Sequence, residues 1–402
     1  MRLLKSAHRI SQISATVLAM SSTNRSRTYI FDAHNHVHLS MGSEVPSLSK
    51  EEIHQCCIDE SNVTRMEDSK QHARNIYQNY SSSYQDGEYH PIGCIAMMST
   101  QPRDFPIVQT IAQELKAYNE NKEGDLTLQK GVIECYGIHP WMLQQATQDF
   151  DHLPDDIFEG KGPKWLPFLK HYLISNPASH VGEIGLDSAR WEMDEETKEK
   201  VPIPMDLQIE AFEAQMHIAA DLKRSVSIHT VHCWGELMDS LNRIKTERTK
   251  LRKEQRQLRK TLKRQLGFET NKDELRNIEK QLEELGDDTL VFPPCMYFHA
   301  FGGKTALVDQ LDAITRDKAS PQASPDVYFG FAPVINFTAP KTMSVMKKIG
   351  LKRLVIESDL ENYKRVSHDL RENVKFIANC FDVLENEVIE QTMMNAENIY
   401  FR

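Results

Sequence analysis

Eight short apolar or β-branched runs recur along the chain, each ending in polar or glycine residues, and this repetition constrains the fold most. They cover residues 28–32, 91–97, 131–137, 180–184, 225–229, 296–299, 327–331 and 353–357. Longer stretches with helical periodicity separate them, as at 107–118, 207–222 and 234–244. Within the second of these, Phe212, Met216, Ala219 and Ala220 are spaced by three and four, which builds one apolar face. Alternation of strand and helix predicts parallel βαβ units. Eight such strands predict an α/β fold closed into a (β/α)8 TIM-like barrel rather than an open sheet. The length of 402 residues allows two domains or one large barrel with insertions, and the eight runs favour the barrel.

Three segments fall outside that pattern. Residues 1–27 are basic and serine-rich, with no acidic residue before Asp32. They read as a disordered tail or a mitochondrial transit peptide, with Met20 as an alternative start. The barrel is expected over 28–402 and carries two insertions. Residues 40–90 are polar and irregular and follow the first strand, so they should lie over the mouth. Residues 241–290 should form an antiparallel helical hairpin with coiled-coil spacing. Ile244, Leu251 and Leu258 repeat every seven, Leu275, Ile278, Leu282 and Leu285 follow a 3-4-3 pattern, and Gly267 separates the runs. From Arg243 to Arg264 the first arm has eleven Lys/Arg against Glu247 and Glu254. That arm reads either as a solvated face or as a contact for nucleic acid or protein. The hairpin is expected on the amino-terminal face of the barrel, away from the mouth.

The formal charge of −10 argues against a broad basic face that wraps nucleic acid. Seven cysteines without a C-x-x-C predict no disulfide framework and a reducing compartment. No run is apolar and long enough to suggest a membrane span. The expected location is therefore cytoplasmic or nuclear, or mitochondrial if residues 1–27 are a transit peptide.

In a parallel barrel, side chains at the carboxyl ends of the strands converge on one mouth. The first strand ends in Asp32-Ala33-His34-Asn35-His36, whose alternate histidines can chelate one ion. Later strands end in His139, Glu183, His229, His299 and Asp359. Any one of these has an ordinary structural explanation, but six of eight strands ending this way do not share one. Imidazoles and carboxylates suit borderline divalent ions, and one carboxylate can bridge two ions about 3.5–4 Å apart. The sequence His36-Val37-His38 offers a second H-x-H, so the spacing alone leaves two candidate pairs.

In these stretches the chain resembles the TatD family of metal-dependent deoxyribonucleases, within the amidohydrolase-like barrels. The matching stretches are 32–39, 137–141, 181–187, 225–230, 298–303 and 354–359, and residues 395–401 resemble the family's C-terminal helix. Gly182-Glu183-Ile184-Gly185-Leu186-Asp187 is the most distinctive of them. The resemblance implies two divalent ions, drawn from Zn, Mg or Mn. It implies His34 and His36 on the first ion, Glu183 bridging, and His229 and His299 on the second. Asp359 would contact the first ion or the attacking water, which makes Glu183 and Asp359 the catalytic pair. His139 takes a substrate or phosphate role. The family commonly has an Arg shortly after the strand-five histidine, where this chain has Thr230-Val231-His232-Cys233. His232 either replaces that Arg as a phosphate donor or merely packs. The last motif reads Glu357-Ser358-Asp359-Leu360-Glu361 without the family's usual Pro, as in a divergent eukaryotic branch. The implied activity is hydrolysis of phosphodiester bonds in DNA by metal-activated water. Two rivals remain. One is a small-molecule amidohydrolase or esterase, because without segment 241–290 the chain carries about −14. The other is a non-catalytic scaffold that holds a protein partner through that segment.

Overall fold

The computed structural model describes residues 28–41, 67–84, 90–120, 127–151, 162–193, 200–268 and 271–402. The expectations for 1–27, and for most of the first insertion (42–66 and 85–89), lie outside the described residues. Eight strands form one parallel sheet: β1 (Ile30–Asn35), β2 (Ile92–Met98), β3 (Gly131–Tyr136), β4 (His180–Asp187), β7 (Val226–Val231), β8 (Cys295–Phe298), β9 (Asp326–Phe331) and β10 (Leu354–Ile356). The order along the sheet is the order in the chain. An antiparallel ribbon, β5 (Trp191–Met193) and β6 (Lys200–Pro202), follows β4. The last strand returns to the first. Asp359 N–H donates to the His34 carbonyl at 3.0 Å, and Asp32 accepts from Ser358 N–H and Oγ–H at 2.8 and 2.7 Å. These bonds bring the two ends of the sheet together as a barrel.

The strands β1 and β2 are buried along their whole length. That is expected where helices cover one face and packed side chains the other. Several strands run further than their apolar cores suggest: β1 extends to Asn35 and β4 to Asp187. The ladder continues because the polar side chains at these ends face the mouth.

The principal helices are α1 (Glu67–Tyr84), α2 (Phe105–Glu120), α3 (Met205–Asp221), α4 (Trp234–Phe268), α5 (Lys272–Glu284), α6 (Thr305–Thr315), α7 (Tyr363–Phe381) and α8 (Glu385–Tyr400). No described helix is long and apolar enough to cross a membrane. Helix α1 corrects the reading of 40–90 as irregular throughout. Its Ala73, Ile76, Tyr77 and Tyr80 are buried on one face, and Ser, Gln and Asn on the other hid that stripe. The five described cysteines are free and buried.

The second insertion forms α4 and α5, and α4 runs on through Gly267 to Phe268 instead of ending at that glycine. The heptad reading of α4 needs correction. Ile244 is buried, but Leu251 and Leu258 are 44% and 47% exposed, and Leu262 with Ile278 is buried instead. The inward face of α4 runs through Leu241, Ile244, Arg248, Arg252 and Leu262. Arginine stems can fill a buried face when their heads find acceptors. Arg248 donates to Asp221 and to the Leu290 carbonyl, both at 2.6 Å. Arg252 pairs with Asp317 at 2.5 Å, and Arg256 and Arg259 share Asp288. Asp221 closes α3, Asp317 follows α6 and Asp288 precedes β8. All three lie on helix-to-strand connections, so the hairpin docks on the end of the barrel opposite the mouth. Much of the basic arm is therefore consumed by carboxylates of its own chain.

Candidate metal centre

Glu183 stands on β4 between two pairs of histidines. Its Oε2 lies 3.3 Å from His34 Nε2 and 3.0 Å from His36 Nε2. Those two nitrogens are 3.2 Å apart, and Asp359 Oδ1 is 3.8 Å from each. Its Oε1 lies 2.8 Å from His229 Nδ1 and 2.5 Å from His299 Nε2. The rings of His34 and His299 stack at 3.9 Å, joining the two halves. The structure thus brings together all six side chains named as ligands from the sequence. Their donor atoms, joined by that of His139, fall into groups within 4.8 Å: His34, His36 and Glu183; His139, Glu183 and His229; His34, His299 and Asp359.

Hydrogen bonds behind the rings fix which nitrogen faces inward. His36 Nδ1 donates to the Met98 carbonyl at 2.9 Å, which turns its Nε2 lone pair toward Glu183. His229 Nε2 donates to Asp187 Oδ2 at 3.2 Å, which does the same for its Nδ1. Lone pairs converging on a carboxylate repel unless a proton or a cation lies between them. Burial lowers the basicity of His36, but the bond and charge of Glu183, with Asp359, outweigh it and hold the ring up to about 9. Burial likewise lowers His229, and Asp187 and Glu183 raise it to about 9. Protons thus occupy positions that suit cations. Burial would raise Glu183, yet the facing His299, His139 and His34 pull its carboxyl well below the usual range. Burial, with the charge of Glu183, raises Asp359 against the pull of His299 and His36. Imidazole nitrogens and carboxylate oxygens arranged on both sides of one glutamate fit a pair of divalent ions.

His139 has a different tautomer. Trp141 N–H donates to its Nδ1 at 3.1 Å, so Nε2 carries the proton and points toward Glu183 Oε1 at 3.4 Å. Burial lowers this imidazole to about 4, so it remains a neutral donor. His38 does not join the first pair. It is buried beside Asp104, 3.5 Å from Oδ2. His232 is not brought to the site. It is exposed, in a left-handed turn at φ 58°, and does not line the cavity. The strand has ended at Val231, and His232 lies in the connection into α4.

The cavity measures about 660 Å³, with His36, His139, Glu183, His229, His299 and Asp359 on its floor. Trp141 and Arg190 form part of its wall. Sequence reasoning gave no role to Asp187, which holds His229 and accepts from Trp141 Nε1 at 2.6 Å. Nor did it give one to Ser227, whose Oγ is 2.9 Å from His34 Nδ1. A signal for both was present: Asp187 is four residues beyond Glu183 and Ser227 two before His229, on the same strand faces. Gly185 belongs to the same arrangement. A Cβ there would collide with the His229 carbonyl, so only glycine lets β4 press this close to β7.

Residues 31–401 match the model of a family described as TatD related DNase. The chain belongs to this family. It is 22% identical over 343 residues to Cut9-interacting protein scn1 of Schizosaccharomyces pombe, a match that covers 76% of this chain and 91% of that protein. Among solved structures, YJJV, a TatD homologue from Escherichia coli, aligns with a TM-score of 0.46 at 16% identity, covering 82% of this chain and 92% of that one. Membership supports a hydrolase, and the His, Glu and Asp cluster is one that could hold metal ions.

Proposed function

We propose that this chain hydrolyses phosphodiester bonds of DNA with two divalent ions, Zn, Mg or Mn, one on each side of Glu183. The carrying observation is that the two oxygens of Glu183 each face their own pair of histidines. Bound there, the ions would lower the pKa of a shared water and polarise a phosphoryl oxygen. The chain supplies the rest. Asp359, raised by burial, orients the attacking water and takes its proton. His139 Nε2–H donates to a substrate oxygen. Asp187 keeps His229 in its inward tautomer. The cavity is the size of a small-ligand site, which suits a strand end threaded into the mouth better than an intact duplex. Cleavage of end-labelled single- and double-stranded DNA with each metal, beside a panel of amides and esters, tests this reading. Turnover of an amide or ester with DNA left intact would replace it with a small-molecule amidohydrolase or esterase.

A second role, compatible with the first, concerns the hairpin. The yeast relative is named for an interaction with another protein. Here Leu251 and Leu258, seven residues apart and so on one face of α4, are exposed. A protein partner held on that face is the corresponding reading. Replacing both leucines with Ser should abolish co-purification of such a partner and leave hydrolysis unchanged.

A further inference from the structure

Among the described residues that line the cavity, Arg190 is the only one with a permanent positive charge. It follows β4, and its guanidinium carbon sits 4.6 Å above the ring of Trp141. No carboxylate among the described residues pairs with it, although Glu183, Asp187, Asp359 and Glu361 all line the same cavity. The ring beneath it is fixed. Trp141 Nε1–H donates to Asp187, and Asp187 accepts from His229. An indole face holds a guanidinium flat and leaves its edge N–H groups free. Those groups form a planar fork that matches two phosphate oxygens.

The geometry points to Arg190 as the docking cation for a substrate phosphate adjoining the one under attack. This inference rests on reading the site as a phosphodiesterase and names its substrate class, a strand with consecutive phosphates rather than an isolated phosphodiester. The placement follows from the ring between them: Trp141 also touches His229, at 5.9 Å between centroids, so Arg190 stands one indole outward from the metal cluster. The charge argument agrees. Outside segment 241–290 the chain carries about −14, so an incoming strand needs a cation at the rim.

The test measures binding, with no turnover required. A short fluorescein-labelled single-stranded oligodeoxynucleotide is titrated against the full chain in chelator, at several salt concentrations. Arg190→Gln should weaken binding about tenfold at low salt. It should also make the slope of log affinity against log salt shallower by about 0.7, the value for one lost single-strand phosphate contact. Arg190→Lys should restore the slope but recover only part of the affinity, because an ammonium lacks the planar fork. Lys260→Gln, on the hairpin, should change neither. The inference is overturned if the wild-type chain does not bind the strand, if Arg190→Gln keeps the wild-type slope, or if Lys260→Gln changes it equally. Arg190-dependent binding without cleavage in any metal would sink the proposed reaction and leave the docking role standing.

Discussion

Glu183 is positioned so that replacing one oxygen by an amide nitrogen affects both halves of the site. Glu183→Gln keeps the shape but removes the charge that two ions would share. Metal-supported turnover should fall at least about a hundredfold, and calorimetric titration should show a parallel loss of metal affinity with the fold intact. A variant with near-normal turnover at low metal would show that Glu183 is not a ligand. The proton positions give a second prediction. His36 and His229 are both held up to about 9 without metal, so each binds a proton that an ion must displace. Metal affinity should therefore rise with pH, with close to two protons released per site pair, and level off above about pH 9. Calorimetry in buffers of different ionisation heat would measure that release, and a count near zero would rule the arrangement out. Much of this site was legible because strand-end residues announce themselves in a parallel barrel. Arg190 was not, because its importance comes from the face of Trp141, forty-nine positions earlier in the chain.

At the level of elements, the hairpin shows where sequence patterns mislead. The heptad of Ile244, Leu251 and Leu258 is present in the sequence, yet the seam turns toward Arg248 and Arg252. Acceptors on the floor of the barrel decide this: Asp221, Asp317 and Asp288 come from three separate connections. No spacing along α4 reveals them. Arg252→Met should therefore strand a buried Asp317 and lower stability by about 3 kcal/mol, read as a shifted urea midpoint. Cutting the hairpin beyond this anchor, with residues 253–286 replaced by a short Gly/Ser link, should leave turnover of a small chromogenic phosphodiester within about threefold. Loss of that turnover in a folded barrel would place the hairpin at the wrong end. Helix α1 shows the opposite case, in which four buried apolar residues suffice among polar neighbours.

Across the whole molecule, the strand order could be read from alternation alone, but the closure could not. It depends on Asp32 and Ser358, which lie 326 positions apart. A similar long-range tie sits at the other end of the barrel. His180 at the start of β4 accepts from Ser225 N–H through Nδ1 and donates to the Tyr400 carbonyl at the end of α8 through Nε2. Burial lowers this imidazole to about 4, against an unfolded value near 6.5. Its contribution is complete above about pH 6.5 and is lost as the pH falls through 4, at most roughly 3 kcal/mol. Urea unfolding at pH 7 and pH 4.5 should show that loss, and His180→Gln should reduce the difference between the two. An equal pH dependence in the variant would assign the effect elsewhere. The opposed placement of hairpin and mouth has one more consequence. A barrel gripped by its floor leaves its opening facing outward, so the hairpin can serve as a handle. Anchored through it to a larger assembly that also holds the strand proposed as substrate, the chain would meet that strand at a far higher local concentration with its mouth unobstructed.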